Sequence, residues 1–220
     1  MTLVPCPAWD EDQPADLATV VSNVRALWPS IEADAIARPT PSLEMALDWH
    51  RRIYAGVAVP EIQYVGNVRD SDPRNPCLID YEVAVGTVRS VRASDVPDAL
   101  DAFVRSTSTV TAALDAVVPV RRVPSAPGAL AAVIRLCANA HGEWVRIHPF
   151  ANGNGRTARL WANWIAVRYG LPPFVRIKPR PGDVLFTGAA ELSMRGDHGP
   201  TEAMFAVMLR DALITASHRP

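Results

Sequence analysis

The 220-residue chain is short of several things at once: three cysteines, a net charge of −1, and no apolar run near the roughly 18 residues of a membrane-crossing helix. With Lys+Arg at 22 and Asp+Glu at 23, no global field draws it onto nucleic acid or an anionic membrane, so any anion binding has to be local. Cys6, Cys77 and Cys137 are odd in number, scattered and without C-x-x-C spacing. That spacing excludes a zinc ribbon or a dithiol redox motif and reads as incidental or structural thiols in a reducing compartment. The N-terminus places Asp10, Glu11 and Asp12 where a cleaved secretion signal would be positive. The expectation is a cytoplasmic protein without nucleic-acid or membrane partners, a signal-less secretion route being the alternative.

What is present is a sizeable core in prospect, with hydrophobic residues at 49% of the chain, and 20 prolines that fall between periodic segments as punctuation. Leu17, Val20, Val21, Val24 and Leu27 predict a helix over 15–27. Ser42 as N-cap and Gly56 as terminator bound another over 42–54. Helical patterning recurs over 96–117, 128–145, 155–169 and 201–215, while the β-branched residues Val83, Val85, Val88 and Val91 predict a short hairpin over 82–91. The fold class is therefore mainly α with one small β element. Trp49, Trp144, Trp161 and Trp164 sit at core spacing, and KPRP at 178–181 reads as a solvated basic loop.

The chemistry concentrates in HPFANGNGRTAR at 148–159. Gly153 and Gly155 free the backbone to curl its amides towards an anion, and the helix that opens there directs its unpaired N–H groups and positive dipole end at the same loop. Arg156 and Arg159, three apart, add permanent charge and forked donors. His148 supplies a side chain able to take a proton near neutral pH. Because the turn opens a helix without a preceding strand, and GNGR lacks a Lys-Ser/Thr pair, a Rossmann fingerprint and a P-loop are excluded. A zinc site on His141 and His148 lacks a third ligand.

This run closely resembles the Fic motif HPFx(D/E)GN(G/K)RxxR, agreeing at every fixed position except Asn152. YVGNVRD at 64–70 is similar to the G-x-x-R segment before the Fic flap, and the hairpin falls where that flap lies. The resemblance implies a Fic-type helical bundle with a small β-hairpin flap. It would be a single domain over 1–220, with a core at 40–175, a helical extension at 1–39 and a helical tail at 176–220. It further implies transfer of AMP from ATP to a Ser, Thr or Tyr hydroxyl of a target protein, with His148 as general base. Gly153, Asn154 and Gly155 would line the anion hole, Asn154 also through its side-chain amide, Arg156 and Arg159 would hold the outer phosphates, and Phe150 would anchor the loop. The family's metal-binding carboxylate is replaced by Asn152, a weak candidate ligand that offers Mg²⁺ or Mn²⁺ one neutral oxygen. Three outcomes stay open: slow AMP transfer, transfer from another phosphate-containing donor, or nucleotide binding in a regulatory module without chemistry. The family's inhibitory (S/T)xxxE(G/N) helix is matched only in its first spacing, at Thr40–Glu44 and Thr187–Glu191, which leaves a separate small inhibitory partner protein or no such inhibition.

Overall fold

The computed structural model describes residues 6–9, 13–70, 72–85, 87–126, 128–177, 181–182 and 184–217. Asp10, Glu11 and Asp12, Lys178 and Arg180 of the basic loop, and Gly86 of the hairpin lie outside the described residues. Seven helices are seen among those described: α1 Pro14–Ala37, α2 Leu43–Ile53, α3 Val96–Asp115, α4 Ala129–Ile147, α5 Asn154–Arg168, α6 Val184–Met194 and α7 Gly199–Ser217. A hairpin pairs β1 Ala84–Val85 with β2 Val88–Arg89 in antiparallel register, Ala84 opposite Arg89. The fold is thus the mainly helical bundle with a small hairpin that the patterning predicts.

The helical pair α4 and α5 forms the centre, with α3, α6 and α7 packed on α4 and with α1 and α2 packed on α5. Nearly every side chain of α5 is buried, which is why that helix carries a poor amphipathic pattern. Trp161 meets Trp49, Trp144, Trp164 and Phe103 at centroid distances of 4.9 to 6.1 Å, so these rings are core, as their spacing predicts.

Three features depart from the sequence expectations. First, α1 runs on to Ala37 because Ile31 and Ala35 continue the buried stripe Val20, Val24 and Leu27. The internal Pro29 forfeits one ladder bond without ending the helix, since burial of the continuing stripe outweighs it. Second, the helical tail contains α6, which the patterning does not single out: Phe186, Ala189 and Met194 are buried while Val184, Leu185 and Leu192 are exposed, so apolar residues lie all round it and no period stands out. Third, Cys6 and Cys77 form a disulfide with Cα atoms 5.4 Å apart, which corrects the reading of three free thiols. Their separation of 71 residues in sequence gave no spacing signal. Cys137 is a free thiol in the core, where burial pushes its pKa up. No described helix is long and apolar enough to cross a membrane.

Candidate active site

The site is built on the turn between α4 and α5. His148 caps α4 in the left-handed region (φ 54°), and Pro149, which has no N–H to give, sends the chain out of the helix. A non-glycine residue held there needs support, and the fully buried Arg69 provides it. Its guanidinium donates to the carbonyls of Ile147 (3.0 Å), His148 (2.8 Å), Tyr81 (2.8 Å) and Val91 (2.9 Å) and to Ser90 Oγ (3.1 Å). Its own N–H donates to the Pro149 carbonyl at 2.7 Å. Arg69 therefore clamps the reversal at His148 to the segments flanking the hairpin. Burial lowers its pKa to about 10, and it stays charged at neutral pH.

The His148 ring is oriented by one contact, Nδ1 to the Val145 carbonyl at 3.2 Å. A carbonyl only accepts, so Nδ1 carries the proton and Nε2 keeps a bare lone pair. Burial pulls the imidazole down to about 4, the hydrogen bond to Val145 acts in the opposite sense, and the Arg69 charge adds to the lowering. The ring is neutral at pH 7, as a general base must be.

The loop that follows is held by its own side chains. Asn154 Oδ1 accepts the Phe150 N–H at 2.9 Å and Asn154 Nδ2 donates to the Phe150 carbonyl at 2.8 Å. The side-chain amide expected to face a phosphate closes the loop on Phe150 with one of its two N–H donors. Phe150 is fully buried and stacks on His50 at 3.9 Å, an anchor as expected. The helical ladder opens with the N–H of Thr157 donating to the Gly153 carbonyl at 3.1 Å, and the amides of Asn154 and Gly155, ahead of that bond, point out of the helix end.

Arg156 and Arg159 diverge. Arg156 donates to Tyr54 Oη, its guanidinium carbon 5.0 Å from the centre of that ring. Arg159 donates to the Ile177 carbonyl through Nε (3.2 Å) and Nη2 (3.0 Å), while Nη1 lies against the first turn of α5, 3.2 Å from where an alanine at 155 would place its Cβ. Both are almost wholly buried, so neither stands as an open cation. The two candidate inhibitory acids point elsewhere: Glu44 pairs with Arg51 and Glu191 with Arg195.

Among the described residues, the side chains at the motif loop offer no cluster of carboxylates to a divalent cation. Asn152 Oδ1, the one oxygen at the expected position, accepts the Gly153 N–H at 2.5 Å. No group of three or more His, Cys, Asp or Glu side chains among the described residues is placed to hold a metal. His141 lies between the rings of Phe186 and Phe205, where burial, with the charges of Arg159 and His198, lowers its pKa to about 3.

A sequence profile of the Fic/DOC family matches residues 40–166 of this chain. The chain belongs to the Fic/DOC family. Among curated relatives, the protein adenylyltransferase Fic of Culex quinquefasciatus is 50% identical over 42 residues, which are 19% of this chain and 8% of that protein. Among solved structures, the Fic domain of Bep8 from Bartonella sp. 1-1C superposes with a TM-score of 0.59 at 13% identity, covering 94% of this chain and 91% of that one. Residues 134–508 of Fic-1 from C. elegans give a TM-score of 0.55 at 21% identity, covering 89% of this chain and 48% of that one. The structural likenesses extend the shared Fic fold over α1, α6 and α7, beyond the profile match. The chain spans about half the Fic-1 structure (48%), and its sequence match takes in under a tenth of the curated relative.

Two residues hold the motif loop through partners that the sequence does not show. Arg69 is the arginine of the G-x-x-R segment, but its partners are mostly backbone carbonyls, which leave no sequence trace. His50, on α2, bonds the motif loop from 102 residues away and looks in sequence like one more residue of an amphipathic helix.

Proposed function

We propose that this Fic/DOC chain transfers AMP, or a related phosphate-containing group, from a nucleotide to a Ser, Thr or Tyr hydroxyl of a target protein. The observation that carries the proposal is His148: its Nδ1–H is held by the Val145 carbonyl, its Nε2 is bare, and one short loop separates it from the amides that open α5. In the reaction the target's hydroxyl oxygen attacks the α-phosphorus as its proton passes to Nε2. The bond from that phosphorus to the bridging oxygen of the outer phosphates breaks, and pyrophosphate departs with its electron pair. Positioning and charge neutralisation dominate such a transfer, and the helix end, Arg159 Nη1 and Arg156 supply them. ATP as donor is supported by the adenylyltransferase name of the curated relatives. The test is incubation with labelled ATP, with Mg²⁺ or Mn²⁺ and without, against a lysate. A labelled band that His148→Ala abolishes is expected; no labelled band with any common nucleotide or phosphodiester donor would overturn the proposal.

A second reading, a nucleotide-binding regulatory module, is favoured by the bonding of Asn152, Asn154 and Arg159 to the protein itself. It requires calorimetric nucleotide affinity that His148→Ala leaves unchanged and no covalent product by intact mass.

A further inference from the structure

We infer that His50 of α2 is a positioning residue for the motif loop, fixing the Asn152–Gly153 turn from outside the motif. Its ring bridges two segments. The Gly66 N–H donates to Nδ1 at 3.0 Å, so Nδ1 is bare and the other nitrogen carries the proton. Nε2 then donates to the Asn152 carbonyl at 2.9 Å. This is the opposite tautomer to that of His148, set by a donor on one side and an acceptor on the other. The imidazole is fully buried and stacks on Phe150, the loop's anchor, with the ring planes 28° apart. Desolvation keeps it neutral: burial takes it to about 3, against the pull of the Asn152 bond, with Arg156 and Arg51 adding to the lowering.

Gly153 shows how close the approach is. A Cβ there would lie 3.0 Å from His50 Nε2 and 2.9 Å from both Cε2 and Oη of Tyr54, one turn further along α2. Gly153 also holds φ 83°, which an L side chain rarely adopts. The absent side chain thus admits α2 to the back of the loop, where His50 takes the Asn152 carbonyl and Tyr54 takes Arg156. The Asn152 carbonyl precedes the Gly153 amide, so holding it fixes the plane of that peptide and the start of the helix end that meets the anion.

For rates this inference rests on the proposed transfer; for loop geometry it does not. The experiment compares three variants of the full chain. His50→Phe keeps the stack on Phe150 and removes both hydrogen bonds. His50→Gln places an amide where Nε2 reached the Asn152 carbonyl. His50→Asn places one where Nδ1 met Gly66. Hydrogen–deuterium exchange of peptides spanning 148–157 is measured without nucleotide, alongside the melting temperature, and ATP labelling of the target is measured with it. Exchange in this segment is expected to rise roughly tenfold in His50→Phe and His50→Asn and to return towards wild type in His50→Gln. Labelling should show kcat falling in the same order with KM changed less. Equal exchange in His50→Phe and wild type overturns the inference, as does equal loss in all three variants in step with melting temperature. If wild-type protein labels nothing while exchange follows the expected order, the transfer reading fails and the positioning role stands.

Discussion

Replacing Asn154 with alanine separates a phosphate ligand from a loop brace. The wild-type side chain makes two hydrogen bonds to one buried residue, accepting from the Phe150 N–H and donating to its carbonyl. Asn154→Ala leaves both backbone groups in a region where Phe150 is fully buried and Asn154 is 2% exposed, so water cannot readily replace them. An orphaned buried polar group costs about 1–3 kcal/mol. Partial relaxation of the loop places the sum in the lower half of the two-group range of about 2–6 kcal/mol, at about 3 kcal/mol. For a chain of this size that corresponds to a fall in Tm of roughly 6–12 °C. Asn154→Asp retains the acceptor for the Phe150 N–H, adds a favourable charge at the helix N-terminus, and faces the Phe150 carbonyl with an oxygen, so its loss should be about half as large. Thermal unfolding followed by circular dichroism, paired with ATP calorimetry, reads the outcome. A wild-type Tm in Asn154→Ala together with lost nucleotide affinity would refute the reasoning and restore the side chain to the ligand.

The remaining predictions are briefer. His50, His141 and His148 are neutral in the fold, with pKa values lowered to about 3, about 3 and about 4 against 6.5 in the unfolded chain. Their contribution is complete above pH 6.5 and is lost as pH falls towards 3, at about 4 kcal/mol per pH unit near pH 5 when all three act. His141→Leu should cut that slope by about a third, and a slope equal to wild type would contradict it. His148, lowered to about 4 in the free protein, sets an acid limb of kcat/KM near that pH. The limb of kcat should lie higher, because bound phosphate favours the imidazolium, and coincident limbs would argue against His148 as base. Reducing the Cys6–Cys77 bridge should cost about 4 kcal/mol at the loop length it closes. Two thiols reactive in the unreduced protein would disprove the bridge. Asn152→Asp should weaken ATP binding in EDTA and strengthen it with Mg²⁺, and equal effects in both buffers would show that the position does not govern the metal.

What was legible in sequence follows the range over which each determinant acts. HPFANGNGRTAR is contiguous, so histidine, turn and arginines could be read directly, and the cap, the glycines and the helix after them are where the run places them. The protein partners of Asn154 and the arginines were not legible, because they depend on which oxygen packing brings within about 3 Å. Phe150, Ile177 and the Tyr54 hydroxyl come within reach only once the loop, the segment after α5 and α2 are packed. α6 escaped because its apolar residues follow no period, and α1 overran its expected end because Ile31 and Ala35 stay buried past Pro29.

The bonding of the motif side chains bears on what the site can do. Asn152 closes on Gly153, Asn154 on Phe150, Arg159 on Ile177, and Arg156 on Tyr54. Each of these side chains would face phosphate or metal in the family-based reading, and each first stabilises the loop or its surroundings. Beside them stand the backbone end of α5, with Arg159 Nη1 close to Gly155, and the His148 ring held through Nδ1. An anion held chiefly by amides on a fixed helix end needs no side chain to reorganise on binding, and preorganised dipoles of this kind act most strongly where water is excluded. The cost is that the loop must already be in place. A turn whose carbonyl is bonded by His50, whose Phe150 is braced by Asn154 and whose entrance is clamped by Arg69 meets that requirement. Under the proposed transfer, substitutions that deform the loop should therefore harm nucleotide binding more than substitutions that remove one formal charge.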